Sequence, residues 1–491
     1  MDTPSSLPQD GLFDESLVGR LEGPADIRID LNGGAKKRFK DFDPTAVMLV
    51  PPSLDEWLPE GHLARFIAEL VENELDLERF YASYRKAKGQ PPYDPRLMLR
   101  VLLYGYCTGV RSSREIERAC TDMVSFRWLS AQQAPDFRSI ARFRDRHLAA
   151  FANVFLQALE LCRAAGMVKL GKVALDGTKV RANASKHKAM SYERLLEKQK
   201  VLAQEVSDLL AEAKTVDATE DAKFGPGKRA DELPVELANR QARAEAMAIA
   251  RASLEEEAAQ KARAEAQEKA RERGDDDDDI TDAGDKAAKA AVPKPKSQRN
   301  FTDPDARIMK QASGAFSYCY NAQAVVDEHR QVIVAAELNQ AANDYGELVP
   351  MAKKVLENLG RMPEKWLADT GYCSKANLEA ARELEAGHGT EFFISTGRMK
   401  HSTAIPEAPR GRIPAHATVG ERMARKLKTK VGKKVYSRRK VIVEPVFGQI
   451  HTRQGKHLLL RGLEKAALEW KVLAACHNLM KLHSYRAESA T

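Results

Sequence analysis

Hydrophobic residues follow two different periods along the chain, and the change of period separates its regions. Between residues 46 and 165 the spacing is helical, with Leu63, Phe66 and Leu70 on one face and a further apolar helix over 97–106. Short apolar runs rich in β-branched residues, which are typical of strands, begin near residue 172 and return after residue 301. The pattern predicts a helical N-terminal domain at 46–165 and a mixed α/β domain built from 170–185 and 301–485, an α+β multidomain protein.

Local signals predict where individual helices start. Asp94 and Pro95 suit the cap and the first position of a helix. Ser112 and Glu115 have the spacing of a capping box, so another helix is predicted to continue through 116–126. Residues 1–45, which are rich in Asp, Gly and Pro, are predicted to form a flexible arm.

Five apolar runs predict the strands of the mixed sheet. The first run is expected to end at Asp176, which would then stand at a strand end. The other strands are predicted at 321–327, 331–336, 366–369 and 391–395, with helices at 344–359 and 376–384. The first three strands are expected to be antiparallel, and the alternation after residue 344 is typical of a sheet flanked by helices.

Residues 186–300 interrupt this domain and differ from it in composition. Leu195, Leu202 and Leu209 recur at steps that suit a helix with a coiled-coil-like seam. The stretch 236–273 predicts a helix rich in Ala, Glu and Arg that is too polar to build a core alone. The Asp run at 275–279 and the segment 294–297 predict a flexible linker. We expect a helical, partly disordered insertion outside the sheet.

Three acidic residues stand beside breaker residues at the edges of short hydrophobic segments. They are Asp176 before Gly177, Asp369 after an apolar run, and Glu444 before Pro445. Strand and helix ends can bring such side chains to one surface, so we predict that the three carboxylates form one site. Carboxylate oxygens suit two Mg²⁺ ions about 4 Å apart, with Mn²⁺ as a substitute, and such a pair supports phosphodiester chemistry.

The third acid has two alternative placements. Because Pro445 disfavours helical geometry in the residue before it, Glu444 is predicted to cap a helix that starts at Pro445; a first-turn position in a longer helix is the alternative. Asp327, at a predicted strand end, and Asp344, an expected helix cap, are weaker candidates for the site. His477 and Asn478 lie in an apolar helix over 473–482 and are predicted to be structural.

Positive charge is concentrated before the third acid. The whole chain carries a formal net charge of +8 with a pI near 9.0. Between Arg398 and Lys440, fourteen Lys or Arg residues stand against two acids, Glu407 and Glu421. A block of this density suits a polyanion, because Lys and Arg neutralise phosphates; a solvated basic loop is the alternative.

A second basic cluster lies in the predicted helical domain, over residues 136–146. Ser139 can cap a helix in which Arg138, Arg142 and Arg144 crowd one short length while the apolar residues between them face a core. This pattern predicts a helix-turn-helix reading element whose N-terminal residues contact DNA. An ordinary basic surface helix is the alternative.

The cysteines and the N-terminus bound the class of protein. The six cysteines are scattered with no C-x-x-C pair, which argues against a zinc site or a disulfide framework. The N-terminus lacks the basic start and apolar core of a signal peptide, and no apolar run reaches the roughly 18 residues that span a membrane. We expect a soluble, reduced, cytoplasmic protein.

Four sequence motifs, in this order along the chain, resemble those of bacterial insertion-sequence transposases of the DDE type. They are L-D-G-T-K from Leu175, A-D-T-G-Y-C-S from Ala368, Y-S-R-R-K-V-I-V-E-P-V-F-G-Q-I-H from Tyr436 and L-L-L-R-G-L-E-K from Leu458. The resemblance covers about residues 49–482. It implies a ribonuclease-H-like catalytic domain after a helical DNA-binding domain, with Asp176, Asp369 and Glu444 as the catalytic and metal-binding acids.

The same resemblance implies DNA contacts around Glu444. Related families place Tyr and Arg before this residue and Lys or Arg seven positions after it, all facing the DNA. The first part is present as Tyr436, Arg438, Arg439 and Lys440, whereas His451 stands where Lys is expected. His carries less charge at neutral pH, so this phosphate contact is weakened.

The implied function is that of a transposase, which binds terminal inverted repeats and catalyses metal-dependent cleavage and strand transfer. Its partners would be double-stranded element and target DNA, and its DNA-bound form a homodimer or higher oligomer, with no membrane partner. A DNA-binding repressor or an inactive relic that has lost cleavage is the alternative, which His451 keeps open.

Overall fold

The structure of the protein is a computed structural model, which describes residues 53–84, 91–185, 189–224, 235–311, 313–397 and 411–490. The arm predicted at 1–45 lies outside the described residues. Residues Leu54–Thr491 form one compact unit. None of the described helices combines the length and apolar composition that crossing a bilayer requires.

Seven helices form the N-terminal region. They are α1 (Leu63–Asn73), α2 (Glu78–Tyr81), α3 (Pro95–Thr108), α4 (Ser113–Asp122), α5 (Val124–Leu129), α6 (Phe137–Arg146) and α7 (Leu148–Ala164). Two predicted helix starts are confirmed. The Asp94 carboxylate accepts the backbone N–H of Arg96 at the start of α3, and Ser112 with Glu115 forms the capping box of α4.

The start of α6 differs from the prediction. Asp136, rather than Ser139, is the N-cap, and its carboxylate accepts the backbone N–H groups of Arg138 and Ser139 at 2.9 and 3.1 Å. Ser139 is the third residue of the helix, and its hydroxyl donates to Asp136 at 2.6 Å. A carboxylate is a strong acceptor at a helix N-terminus, so the helix begins ahead of the serine.

A six-stranded mixed sheet forms the centre of the C-terminal region. Its strands are β1 (Lys172–Arg181), β4 (Arg307–Lys310), β5 (Phe316–Asp327), β6 (Ile333–Asn339), β7 (Lys365–Ala368) and β8 (Glu391–Ile394). The order is β4-β5-β1-β7-β8, with β6 also paired to β5. β5 is antiparallel to β1, β4 and β6, whereas β7 is parallel to β1 and β8. The fold is α+β, as predicted.

The sheet corrects one detail of the sequence analysis. Asp176 does not end its strand, because β1 continues to Arg181 and pairs with β5 as far as Cys319. Gly177 is therefore a residue within a strand, and the breaker after Asp176 does not turn the chain.

Helices flank the sheet and follow its strands. They are α11 (Leu348–Leu359), α12 (Lys375–His388), α13 (Val419–Lys428), α14 (Lys430–Tyr436), α15 (Arg438–Gln454) and α16 (Leu463–Ala490). Asp344 is not the cap of α11, whose N-cap is Glu347. The Asp344 side chain turns instead towards Asn321 and Gln323 on β5.

The insertion is helical where it is described and takes no part in the six-stranded sheet. It contains α8 (Tyr192–Phe224), α9 (Val235–Arg273), α10 (Asp277–Ala290) and the two-stranded pair β2 (Ala189–Ser191) and β3 (Gln298–Asn300). The Asp run is not a flexible linker. Asp276 caps α10 and three further aspartates form its first turn, where the helix dipole favours negative charge.

The Glu257 carboxylate connects the insertion to the six-stranded sheet. Within the insertion, the buried Arg299 on β3 donates to the Ser253 hydroxyl and carbonyl on α9, both at 3.1 Å, and pairs with Glu257. Arg307 at the start of β4 lies 3.1 Å from the same Glu257 carboxylate. One acid of the insertion is therefore shared between an arginine of the insertion and an arginine of the sheet.

The N-terminal helices and the sheet share one hydrophobic core, which extends from Leu58 to Leu482. The long helix α16 packs against α3, α7 and β6. Arg111, after α3, forms a buried ion pair with Glu469 of α16 at 3.2 Å. Glu469 also accepts the backbone N–H groups of Leu459 and Leu460, both at 2.8 Å. The helical region is thus built onto the sheet region rather than tethered to it.

Gly109 provides a test of this shared packing. It ends α3 with φ +90°, and a Cβ there would lie 2.3 Å from the Arg453 carbonyl oxygen at the end of α15. Gly166 has a similar φ of +74° and open space around it. Gly166→Ala is expected to cost about 1–2 kcal/mol from backbone strain alone. Gly109→Ala should cost about 1–3 kcal/mol more, because the new methyl group forces α3 away from α15. Chemical denaturation of both variants measures the difference, and equal losses would contradict this packing.

Candidate active site

Two of the three predicted acids lie side by side on neighbouring parallel strands. β1 and β7 are in register up to Leu175 opposite Ala368. Asp176 and Asp369 are the next residues on each strand, and neighbouring strands lie about 4.8 Å apart. Asp369 leaves the sheet at this point and caps the short 3₁₀ helix Thr370–Tyr372, where its carboxylate accepts the Gly371 N–H at 2.7 Å.

Asp176 is mostly buried and has few partners for its charge. One carboxylate oxygen accepts the Gly177 N–H at 2.9 Å, and the other accepts from the Arg439 guanidinium at 2.8 Å. Burial raises the pKa of Asp176 to about 6; Arg439 opposes this rise, and the neighbouring Asp369 adds to it. Arg439 therefore only partly offsets the cost of burying the negative charge of Asp176.

The third acid, Glu444, lies on α15 and is not a helix cap. It is the seventh residue of the helix, which starts at Arg438 and contains Pro445 in its interior. Proline removes a backbone donor and frees the carbonyl four residues earlier. That carbonyl, on Val441, accepts from the Gln331 side-chain amide at 3.0 Å. A contact from the β5–β6 connection thus compensates for the proline, which the sequence pattern of α15 does not reveal.

Arg439 links Glu444 to Asp176. This residue is 8% exposed. Its two terminal nitrogens lie 2.8 Å from the Asp176 carboxylate and 3.8 Å from the Glu444 carboxylate. The guanidinium therefore occupies the space between acids that come from a strand and from a helix.

Asp176, Asp369 and Glu444 have oxygen atoms of the kind that bind divalent ions. Within the described residues, no three His, Cys, Asp or Glu side chains lie close enough together to hold a metal ion. The donor set nevertheless suits a hard cation, because Asp176 and Asp369 are adjacent and a guanidinium already lies against Asp176. The Glu444 side chain is 54% exposed, so it is free to turn. Asp176 and Asp369 therefore have the chemistry of Mg²⁺ or Mn²⁺ ligands, whereas the Arg439 guanidinium lies between Asp176 and Glu444.

The residues expected to contact DNA near Glu444 have different environments. Tyr436 is half-buried beside Arg439, Ser395 and Asp369, and burial raises its pKa. Arg438 points away from the acids and pairs with Glu328 at 2.7 Å. Lys440 is exposed.

His451 lies three turns from the start of α15 and is half-buried. Its ring stacks on Phe447 with centroids 6.5 Å apart, and its Nε2 atom has no hydrogen-bond partner among the described residues. Burial, followed by the charge of Lys456, lowers its pKa, so the imidazole is neutral at physiological pH. It does not supply the charge of a lysine at this position.

The three arginines predicted on α6 divide into two groups. Arg138 and Arg142 are exposed, and the Arg138 guanidinium lies 5.6 Å from the ring centre of Phe137. Arg144 is half-buried and donates to the Arg111 carbonyl at 3.4 Å. Only the first two present their charge freely to solvent.

The basic block lies beside the acids. Its described part, from residue 411 onwards, includes α13 and α14, and α14 leads directly into the helix that carries Arg439 and Glu444. Residues 398–410 of the block lie outside the described residues. Positive charge is therefore concentrated on the helices next to the acids.

Sequence reasoning missed a polar group beneath the acids. Asn321 and Gln323 are fully buried on β5, and Tyr372 is fully buried just after Asp369. The Tyr372 hydroxyl donates to Gln323, which in turn donates to Asp344 at 2.7 Å. Two polar residues at alternate positions in an otherwise apolar strand were the available signal, because they point to the same face of the sheet.

Two family models match the chain, one at each end of the described fold. A model described as "Transposase domain (DUF772)" matches residues 52–146, and one described as "Transposase DDE domain" matches residues 410–483. Together the two matches support an insertion-sequence transposase of the DDE type. The first match covers the helical region with α6, and the second covers α13 to α16 with Glu444.

All six strands of the sheet lie between the two matches, so neither match covers Asp176 or Asp369. No curated protein and no solved structure shows a significant match to the chain. Within the second match, Arg439 and Glu444 occupy the same helix, which the sheet brings against Asp176.

Replacing Arg439 tests whether it neutralises the acids. Arg439→Gln leaves a buried carboxylate without its cation, so we expect it to lower the free energy of unfolding by about 3 kcal/mol at pH 8 in the presence of a chelator. Arg438→Gln removes a more exposed pair with Glu328 and should cost less than about 1 kcal/mol. Mn²⁺ should stabilise Arg439→Gln more than the wild type, because it replaces the lost charge. Equal behaviour of the two variants would show that Arg439 has no special electrostatic role.

Proposed function

We propose that this transposase binds the terminal inverted repeats of its element and cleaves and joins DNA with divalent ions held by Asp176, Asp369 and Glu444. The observation that supports this most directly is how the acids are placed relative to one another. Asp176 and Asp369 are adjacent across parallel strands, and Arg439 connects Glu444 to Asp176. Asp176 and Glu444 are far apart in the sequence, yet one guanidinium contacts both.

The order of the strands supports a ribonuclease-H-like catalytic domain. In β6-β5-β1-β7-β8, three antiparallel strands are followed by two parallel ones that are connected through helices. The acids lie on the central strand β1 and at the C-terminal end of the adjacent strand β7, where ligands of open α/β sheets commonly bind. This arrangement suits a site that is open to a long polymeric substrate.

The proposed chemistry is displacement at a phosphodiester. Bound divalent ions would lower the pKa of an attacking water and stabilise the leaving oxygen. Asp176 and Asp369 hold fixed positions through the N–H groups of Gly177 and Gly371, so they would orient the ions without rearrangement of the backbone. Glu444 would turn inwards as the third ligand.

The basic residues around the acids would hold the DNA. Lys440, Arg453 and Lys456 are exposed on or just after α15, whereas His451 is half-buried. They would supply the phosphate contact that His451 does not make. Arg138 and Arg142 on α6 would contact the terminal repeat, because they are exposed on a helix of the matched transposase domain.

Cleavage by single-site variants tests the catalytic assignment. With Mg²⁺ or Mn²⁺, the wild type is expected to nick a supercoiled plasmid that carries both genomic flanks of the gene. Asp176→Asn, Asp369→Asn and Glu444→Gln should each reduce nicking to background, because each removes a metal ligand. Asp327→Asn is the matched control, since Asp327 is a buried acid at the end of β5 whose carboxylate accepts backbone N–H groups, among them those of Leu170 and His329.

The outcome also decides between an enzyme and a repressor. A wild type that binds the flanks tightly but never nicks them, with either metal, would favour the inactive DNA-binding protein. Nicking that survives in all three acid variants would mean that the active site lies elsewhere.

Binding isotherms at several salt concentrations separate the two basic regions. Arg138→Ala and Arg142→Ala should each reduce the preference for terminal repeats over random duplex by about 1–3 kcal/mol. Lys440→Ala should weaken binding to both duplexes equally and reduce the salt dependence by about one unit of slope, because it removes one phosphate contact. If Lys440→Ala changes sequence preference while the α6 variants do not, the assignment of the reading helix is wrong.

A further inference from the structure

Asp344 lies between the two backbone segments that carry Asp176 and Asp369. A Cβ on Gly177 would lie 2.8 Å from one Asp344 carboxylate oxygen, and a Cβ on Gly371 would lie 3.3 Å from the other. Gly177 follows Asp176 directly, and Gly371 is the residue whose N–H the Asp369 carboxylate accepts. One carboxylate therefore packs against both segments, and each has a glycine where a larger side chain would collide with it.

Two amide donors and a neighbouring ammonium hold Asp344 in position. Its Oδ1 atom accepts from the Asn321 amide at 2.6 Å and the Gln323 amide at 2.7 Å, and the Lys179 ammonium lies 3.5 Å away. Asn321 and Lys179 are paired residues on β5 and β1, as are Gln323 and Gly177. The carboxylate is thus held by side chains from both central strands.

Tyr372 connects this group to the Asp369 segment. It is fully buried, its hydroxyl donates to Gln323, and its carbonyl accepts from Asn377 at 2.8 Å. Burial raises the pKa of Tyr372, and the next causes, in order, are the charges of Asp344, Asp176 and Asp369. Tyr372 therefore lies within the field of these carboxylates and is held in place through Gln323 and Asn377.

Burying these polar side chains is energetically unfavourable unless each of them is held in a defined position. The Lys179 Nζ atom is buried without a hydrogen bond among the described residues, and burial lowers its pKa. Buried polar networks are stable only when their members are held in one arrangement, which they then specify uniquely. An apolar core at this position would leave the Gly177 and Gly371 segments free to shift.

We propose that Asp344 is a positioning residue, which fixes the segments after Asp176 and Asp369 and so sets the spacing of the two carboxylates. This inference rests on the proposed function, because the spacing matters for the metal ions that these acids would hold. Asp344 itself makes no contact with the reacting atoms in this role.

The affinity of the protein for Mn²⁺, measured from the electron paramagnetic resonance signal of the free ion, tests the proposal without DNA. Asp344→Ala should weaken Mn²⁺ binding by about 10- to 100-fold, the usual effect of losing a partner of a metal ligand. Asp344→Asn should recover most of the affinity, because its carbonyl still accepts from Asn321 and Gln323. Asp327→Ala, the matched control, should lose thermal stability but keep wild-type affinity.

If Asp344→Ala does not fold, Gln323→Met tests the same network, because it removes one donor to Asp344 and the acceptor of Tyr372 while filling the space. It should weaken Mn²⁺ binding at least about tenfold. Wild-type affinity in Asp344→Ala or Gln323→Met, or an equal loss in Asp327→Ala, would overturn the positioning role alone. A wild type that binds no Mn²⁺ would contradict the proposed function itself.

Discussion

The contact between Asp176 on β1 and Arg439 on α15, at 2.8 Å, is the constraint on which the geometry of the site depends. Removing a carboxylate from water is unfavourable, and the raised pKa of Asp176 reflects that cost. A guanidinium offsets it only if α15 lies against the centre of the sheet. The same contact brings Glu444, five residues further along the helix, to the side of the sheet where Asp369 emerges. An unfavourable charge on the central strand thus determines where the third acid stands.

Helix α15 can cross the sheet here because the cost of its proline is offset elsewhere. Pro445 leaves the Val441 carbonyl without its helical donor, and Gln331 supplies one at 3.0 Å. Gln331 is in turn held by α16: its backbone carbonyl lies 3.0 Å from His477 Nε2, and its side-chain oxygen accepts from Lys481 at 3.0 Å. Asn478 also forms two hydrogen bonds with the backbone of Ile333. His477 and Asn478, which are predicted to be structural, therefore hold the β5–β6 connection that supports the helix carrying Glu444.

Sequence pattern predicted the elements well and the environments of the acids less well. The strands after residue 321 and the starts of α3 and α4 depend on local spacing and capping, which a single chain displays directly. The end of the first strand was wrong because strand length depends on pairing with β5, which is distant in sequence. Glu444 was misplaced because the preference of a residue before proline was overridden by Gln331 from another part of the chain. Asp344 is not the helix cap that its sequence position predicts, and its partners on β5 become neighbours only in the folded sheet.

The environment of Arg439 differs from the one that its sequence motif predicts. Its position beside Tyr436 suggested a phosphate contact, yet in this arrangement it is buried and paired with an acid. If divalent ions bind these acids as proposed, they would repel the Arg439 guanidinium, because like charges repel at short range. Arg439 would then contact a phosphate instead of Asp176.

A continuous series of contacts connects the helical region with the strand that carries Asp176. Arg144 of α6 donates to the Arg111 carbonyl, and the Arg111 side chain donates to the His457 carbonyl at 2.9 Å. His457 forms a bridge with Arg181, the last residue of the strand that carries Asp176. Contiguity of this kind is not evidence of allosteric coupling. It does mean that, within one protomer, the exposed face of α6 and the acids are held at a fixed separation by a shared core. Under the proposed function, DNA held by α6 and by the acids of one protomer would have to match the separation that this core sets.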